Sequence, residues 1–276
     1  MSRPRSEPHR ADIQAPGGRL PAAISGVGVL GLVVLVAPLI ALAWAAPWSR
    51  MWSLLTAPAA LSALGLSLAG SSLATLAALV LGVPLAAILA SGAIRPVRLV
   101  RLLVVVPMVM PPVVIGVALL TLLGRRGLVG GYLDDWFDWT PTYTFAAVAI
   151  AQLVVAMPFL VVSVEAALRS RNLDAEEAAY TLGASRMTTF WRITVPQIRA
   201  GIGAGAVMCF ARALGEFGAT VTFAGNVEGV TQTMPLAIYL SLQRDDESAI
   251  AMAVGLVALS VLVLVAMRGR WLPALT

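Results

Sequence analysis

Six apolar runs organise this sequence, at roughly 25–46, 64–90, 99–123, 143–168, 200–224 and 249–267. Each is close to the ~20 residues that an α-helix needs to cross the hydrocarbon core of a bilayer. With 59% hydrophobic and 12% charged residues and a mean hydropathy of +0.88, the chain lies far from soluble globular composition. The reading is an all-α integral membrane protein with six transmembrane helices. Arg3, Arg5, Arg10 and Arg19 precede the first run, as they would in a signal peptide. That run exceeds the roughly 7–15 residues of a signal h-region, so it is read as a span. Residues 1–20, rich in Pro, Arg and Gly and without periodic apolar positions, read as a disordered tail, and 21–276 as a single transmembrane domain.

All 19 basic residues are arginine, and the absence of lysine removes whole classes of chemistry. A phosphate-binding P-loop needs Gly-Lys-Ser/Thr, and a Schiff base needs an ε-amine. If ATP is used, another chain must bind it. His9 and Cys209 are the sole histidine and cysteine, which rules out a disulfide framework and leaves no plausible zinc site. No metal, cofactor or catalytic residue is expected on this chain.

Arginine placement sets the expected topology. The tail, the 91–101 connection (Arg95, Arg98, Arg101), the 169–199 connection (Arg169, Arg171, Arg186, Arg192, Arg199) and the end (Arg268, Arg270) together hold fourteen. The opposite side has Arg50, Arg125, Arg126 and Arg244. The positive-inside rule puts the fourteen, and both termini, in the cytoplasm of a prokaryotic cell. This asymmetry accounts for most of the arginines behind a pI near 10.3, so no nucleic-acid partner is needed.

The 169–199 connection is the one long polar insert. Asp174 followed three residues later by Glu177 has capping-box spacing, and acids in a first turn suit the helix dipole. Ala175, Ala178, Ala179 and Leu182 follow, and Gly183 is a helix stop, so a short helix with a small-residue face is expected. A second helical pattern starts at Ser185, groups Met187, Phe190, Trp191 and Ile193, and is expected to break at Pro196. From the residues alone, two readings stand equal: a hairpin lying on the lipid surface, or a peg shaped for a groove in a partner.

The order Glu177-Ala178-Ala179, three residues, Gly183, nine residues, Ile193, two residues, Pro196 resembles the EAA loop of binding-protein-dependent ABC importer permeases. The stretches 104–120, 156–168, 211–226 (ARALGEFGATVTFAGN) and 231–239 (TQTMPLAIY) are similar to the molybdate/tungstate type of that family, with sulfate and thiosulfate permeases as nearest relatives. The similarity covers approximately residues 60–267. It implies the type I ABC importer permease fold and an oxyanion as cargo. It also implies that Glu177, Ala178, Ala179, Leu182, Gly183, Ile193 and Pro196 couple the chain to an ATPase. The partners it implies are a second copy of this chain, two ABC ATPase subunits that bind ATP-Mg, and a periplasmic or lipid-anchored oxyanion-binding protein.

Within the spans, Pro107, Pro111 and Pro112 in the third run and Pro158 in the fourth remove backbone hydrogen bonds. In a bilayer this is tolerated where neighbouring helices or water satisfy the freed carbonyls. Arg212 and Glu216 in the fifth run lie four apart and share a helix face, so they are expected either to pair or to meet cargo. Pro107, Pro111, Pro112, Arg212, Glu216 and Phe217 are the expected translocation pathway and gate. Gly201, Gly203, Gly205, Gly215 and Gly218 offer small surfaces for close helix crossing. The segments 134–143 and 244–247 read as solvated external loops or as contacts for a binding protein. A secondary transporter is disfavoured because no internal repeat is evident, and an enzyme because no catalytic cluster is.

Overall fold

The computed structural model describes residues 22–271, with side chains from residue 24 to 265, so the expected tail at 1–20 lies outside the described residues. Among the described residues the regular elements are thirteen α-helices and one π turn. Helix α1 (Ala22–Ala45) forms one unit, and the chain from Ala46 onward forms a second. In α1, Ile24–Ala45 is long and apolar enough to cross a membrane and carries Pro38 in its interior.

In the second unit, α2 (Met51–Leu55) leads into α3 (Pro58–Ser91), which opens on a proline at its first turn, where a missing N–H costs nothing. Gly92, with φ 68°, ends it in the left-handed conformation. The expected third span is two helices, α4 (Val97–Val109) and α5 (Pro112–Leu123), bent by 115° at the residues between them. The cause is the consecutive prolines. A residue before proline is pushed out of the helical region, so Met110 (ψ 139°) before Pro111 and Pro111 (ψ 131°) before Pro112 are both extended. Pro107, by contrast, lies inside α4 without ending it.

A short helix, α6 (Gly130–Phe137), connects to α7 (Phe145–Ser170), which contains Pro158. The insert follows as α8 (Asp174–Thr181), α9 (Arg186–Thr189) and a π turn (Phe190–Thr194), which runs directly into α10 (Val195–Leu214). The run expected as one fifth span at 200–224 is divided. Helix α10 stops at Leu214, and a separate short helix, α11 (Gly218–Phe223), takes the rest. Helices α12 (Met234–Ser241) and α13 (Asp246–Trp271) complete the order. Among the described residues five helices are long and apolar enough to cross a membrane, and the count is six if the bent pair is one span.

Helix α7 is the centre of the second unit. The buried share of its most apolar stretch is 56%, against 17–28% for the other spans of this unit. One side packs on α3 and α10 through Ala74, Ala78, Ala156, Leu160, Val164, Cys209 and Ala213. Its first half packs on α5 and α11 through Ile115, Val148, Val155 and Phe223. Lipid is as apolar as leucine, so burial of apolar area does not by itself hold these helices together; close packing of small residues does. At the α7–α10 crossing a Cβ added to Gly201 would overlap the Cβ of Ala167, and one on Gly205 would sit 3.0 Å from the Cα of Leu160. Ser163 donates to the Gly201 carbonyl at 2.9 Å across the same crossing. Gly203 faces open space, so of these three glycines it has no packing role.

The Gly201→Ala protein should therefore lose stability by about 1–3 kcal/mol, the usual cost of overpacking. Gly201→Ala combined with Ala167→Gly should recover most of that loss. Thermal unfolding of the detergent-purified protein checks both; an unrecovered double variant would remove the crossing as the cause.

Candidate coupling loop and translocation breaks

The insert begins where Arg171, in extended backbone (ψ 153°), ends α7. The side chain of Asn172 accepts a hydrogen bond from the Asp174 N–H at 2.8 Å and so starts α8. The capping box expected between Asp174 and Glu177 is not formed, and the helix has no side-chain cap at its Leu173 N-cap. Asn172 satisfies the Asp174 N–H from outside the helix, while the Glu176 and Glu177 N–H groups bond to the Leu173 carbonyl. Helix α8 has two faces. Ala175, Ala178 and Leu182 are exposed, with Leu182 at 89%, whereas Glu176 and Ala179 are buried.

Gly183 ends α8 as the residue pattern predicts. It has φ 85°, and its N–H bonds to the Tyr180 carbonyl while the Ala184 N–H bonds to Ala179, the paired bonds of a Schellman stop. Ser185 then caps α9 by accepting from the Thr188 N–H at 3.2 Å. Pro196 does not break the helix, contrary to expectation. The five residues before α10 adopt the wider π register, so the altered hydrogen-bond pattern falls just where proline offers no N–H, and the helix continues to Leu214. Ile193 is half-buried and Pro196 exposed. Phe190 and Trp191 stack edge to face at 5.4 Å.

Far along the chain from the insert, the two interrupted spans meet. A Cβ added to Gly218 at the start of α11 would lie 3.0 Å from the Cβ of Pro112 and 3.1 Å from the Val113 nitrogen. A Cβ added to Gly116 of α5 would lie 2.6 Å from the Cβ of Thr222 in α11. Arg212 and Glu216 do pair, Nη1 to Oε2 at 2.7 Å, and the other carboxylate oxygen accepts from the Ala219 N–H at 2.8 Å. Glu216 is therefore both a counter-ion and the cap of α11. Phe217 stacks against Tyr239 of α12 at 5.1 Å. Pro111, Pro112, Glu216 and Phe217 thus gather around one pair of helix breaks, with Arg212 attached through Glu216; Pro107 remains within α4.

Two charged clusters escaped the sequence reading. Glu165 of α7, 6% exposed, accepts from Arg101 of α4 (Nε 3.0 Å, Nη2 2.7 Å) and from Arg169 (3.1 Å). A lone carboxylate in an apolar run, followed four residues later by arginine, was the available signal. Glu176 accepts from Arg171 and Thr194. The Arg171 hydrogen bond, helped by that of Thr194, holds its carboxyl below the usual carboxylate range against the opposing effect of burial. Ser67 of α3 also went unread; its hydroxyl accepts from the Met234 N–H at 2.7 Å and so fastens the start of α12.

The chain thus combines interrupted apolar helices with a helical insert before its penultimate long span. The same fold occurs in the bacterial alginate ABC transporter solved with its alginate pentasaccharide-bound periplasmic protein, at TM-score 0.69 and 20% identity over 90% of this chain and 91% of that one. The chain belongs to the family of binding-protein-dependent transport system inner membrane components, whose model matches residues 78–270. It is a multi-pass inner-membrane permease subunit of an ABC transporter, a translocation component and not an enzyme. It is 43% identical to the molybdenum transport system permease protein ModB of Mycobacterium bovis over 242 residues, 88% of this chain and 91% of that protein. It is 33% identical to the sulfate transport system permease protein CysT of Salmonella typhimurium, over 79% of this chain and 78% of the relative.

Glu216 is the buried member of its pair, at 1% side-chain exposure against 28% for Arg212. Removing Arg212 alone therefore strands a buried anion, at a cost of roughly 3–5 kcal/mol. Arg212→Met should lower thermal stability more than Arg212→Met/Glu216→Gln, which keeps an oxygen for the Ala219 N–H. A double variant as unstable as the single one would show that the two charges do not neutralise each other.

Proposed function

We propose that this chain is the membrane pathway of an ATP-driven molybdate importer. The observation that carries the reading is the 43% identity, spread over 88% of the chain, to a relative whose name specifies molybdenum transport. Tungstate, of nearly the same size and charge, is accepted by the same pathway. A sulfate or thiosulfate importer is the second reading, favoured by the 33% identity to a sulfate permease.

In this proposal residues 21–276 act as one permease domain, and the 169–199 insert is its EAA-type coupling loop. The loop and both termini face the cytoplasm, in keeping with the arginine distribution. Two copies of the chain form the pathway, because one docking loop serves one ATPase and the power stroke needs two. ATP-Mg is held by those ATPase subunits, and a periplasmic or lipid-anchored receptor delivers the oxyanion. The exposed Ala175, Ala178 and Leu182 face of α8, with Glu177 beside it, enters a groove of the ATPase. Gly183 and Ser185 turn the chain sharply into α9, which is continuous with α10 through the π turn. Closure of the ATPases drags α8, and Ile193 and Pro196 carry that motion into the span. The breaks at Pro111–Pro112 and Glu216–Phe217 are where the pathway changes shape, since the helices are already interrupted there.

The complex reconstituted with its receptor tests the cargo. Molybdate should stimulate ATP hydrolysis at concentrations where sulfate does not; stimulation by sulfate alone would move the chain to the second reading. Gly183→Val tests the loop. A β-branched residue at φ 85° is strained, so the turn into α9 should be misplaced and uptake lost while the spans still insert. Normal uptake by this variant would remove the coupling role of the insert.

A further inference from the structure

Helix α8 is only eight residues long, and its substantial helix–helix contacts are with α9 and the π turn. A helix that size cannot transmit a pull to the spans unless something fastens it to them. One side chain does so. The Glu176 carboxylate takes Arg171 Nε on Oε1 at 2.7 Å and Arg171 Nη2 on Oε2 at 3.2 Å, the paired geometry that a guanidinium alone provides. Arg171 in turn donates through Nη1 to the Leu168 carbonyl, in the last turn of α7. Thr194 donates its hydroxyl to the same Oε1 at 2.6 Å, from the last residue of the π turn. Glu176 is thus bound to the end of α7 on one side and to the root of α10 on the other, and both it and Thr194 are buried.

The π turn explains why Thr194 can reach. One extra residue in a turn rotates everything downstream by about 100° relative to an unbroken α-helix. Thr194, at the end of that turn, points inward at 5% exposure, and Ile198 one turn later at 2%. Glu177, next to Glu176, is exposed on the outward side. The two neighbouring acids of α8 therefore do different things: one faces away from the protein and the other faces its spans.

We propose that Glu176 is the positioning residue that locks α8 to the spans, so that motion of the docking face is delivered to α7 and α10 together through Arg171 and Thr194. This inference rests on the coupling reading above and names the link within it. Without the latch, α8 would swing on its loop connections while the spans stayed still, and ATP would be hydrolysed with little import.

The test is the ratio of oxyanion imported to ATP hydrolysed, measured with molybdate and the receptor in proteoliposomes. Thr194→Val removes the hydroxyl at nearly constant volume and should lower that ratio at least threefold; Thr194→Ser should restore it. In a Glu176→Gln background, Thr194→Val should add little further loss, because both act through one carboxylate. A wild-type ratio in Thr194→Val, or fully additive loss in the double variant, overturns the proposal. If Thr194→Val does not assemble, Arg171→Lys keeps the charge but gives up the paired contact, and the same two outcomes are read from it. Leu182→Asp separates this from the docking reading. Loss of the co-purifying ATPase in that variant supports docking whatever the latch does, and retention of the ATPase with full uptake overturns docking itself.

Discussion

Hydrocarbon offers no partner to a backbone N–H or carbonyl, so every break in a membrane helix has to be covered by protein or by water. The fold answers that constraint by placing its two breaks together. Helix α5 begins at Pro112, α11 begins at Gly218, and the two starts are in contact. Both short helices pack on α7, whose first half is buried. At each break the chain ends are closed locally: the Met110 N–H bonds to Val106, Gly215 to Ala211, Glu216 to Ala213, and the Glu216 carboxylate supplies the acceptor for Ala219. The Arg212 guanidinium makes that carboxylate tolerable. An ion pair is thus the means by which a helix start is satisfied away from water, and the charge is a consequence of the break.

Around this centre the division of labour follows the chemistry available. Along α7, close contact comes from alanine and glycine, because attraction between apolar side chains is weak where the solvent is itself apolar. Toward its C-terminal end the packing is electrostatic. Glu165 gathers Arg101 and Arg169, and a few residues later Glu176 gathers Arg171 and Thr194. Helix α4 is tied to α7 by the first cluster and α8 by the second. Guanidinium is the only cationic side chain the sequence uses at these sites, and its fork accounts for the paired contacts at both carboxylates.

What could be read from the sequence was set by how local each signal is. The apolar runs, the Gly183 stop and the Arg212–Glu216 spacing depend on residues within a turn or two of one another; the stop and the ion pair are present, and four of the six runs are unbroken helices, while the third and fifth are each divided. Consecutive prolines were recognised as a disturbance, yet the size of the bend follows from two successive extended residues, Met110 and Pro111, which hydropathy does not register. Glu165 and Glu176 each have one partner nearby, Arg169 and Arg171, but the partners that join separate elements are remote: Arg101 is 64 residues from Glu165, and Thr194 is 18 from Glu176. Asp174 and Glu177 had the right spacing for a capping box, but Asn172 was a nearer acceptor and took the N–H. Pro196 was expected to break a helix because proline normally does; the π turn before it has no spelling that distinguishes it from an α turn.

The same π turn sets how the short insert is joined to the long helices. In an unbroken α-helix from Ser185 to Leu214, Thr194 would be rotated away from where it stands, and the buried Glu176 would have only Arg171. Wide turns carry a cost in hydrogen-bond geometry and in packing down the axis, so they persist where something compensates. Here the compensation is visible: a buried carboxylate gains a second donor residue, and a proline is accommodated without ending the helix. The register shift that lets α9 run straight into α10 is therefore also what brings the root of that span into contact with α8. The hydrogen bonds of Glu176 to Arg171 and Thr194 join α8 to the end of α7 and to the root of α10, and under the proposed coupling role that contact is the mechanical condition a force applied at α8 must meet before it can reach the breaks at Pro111 and Glu216.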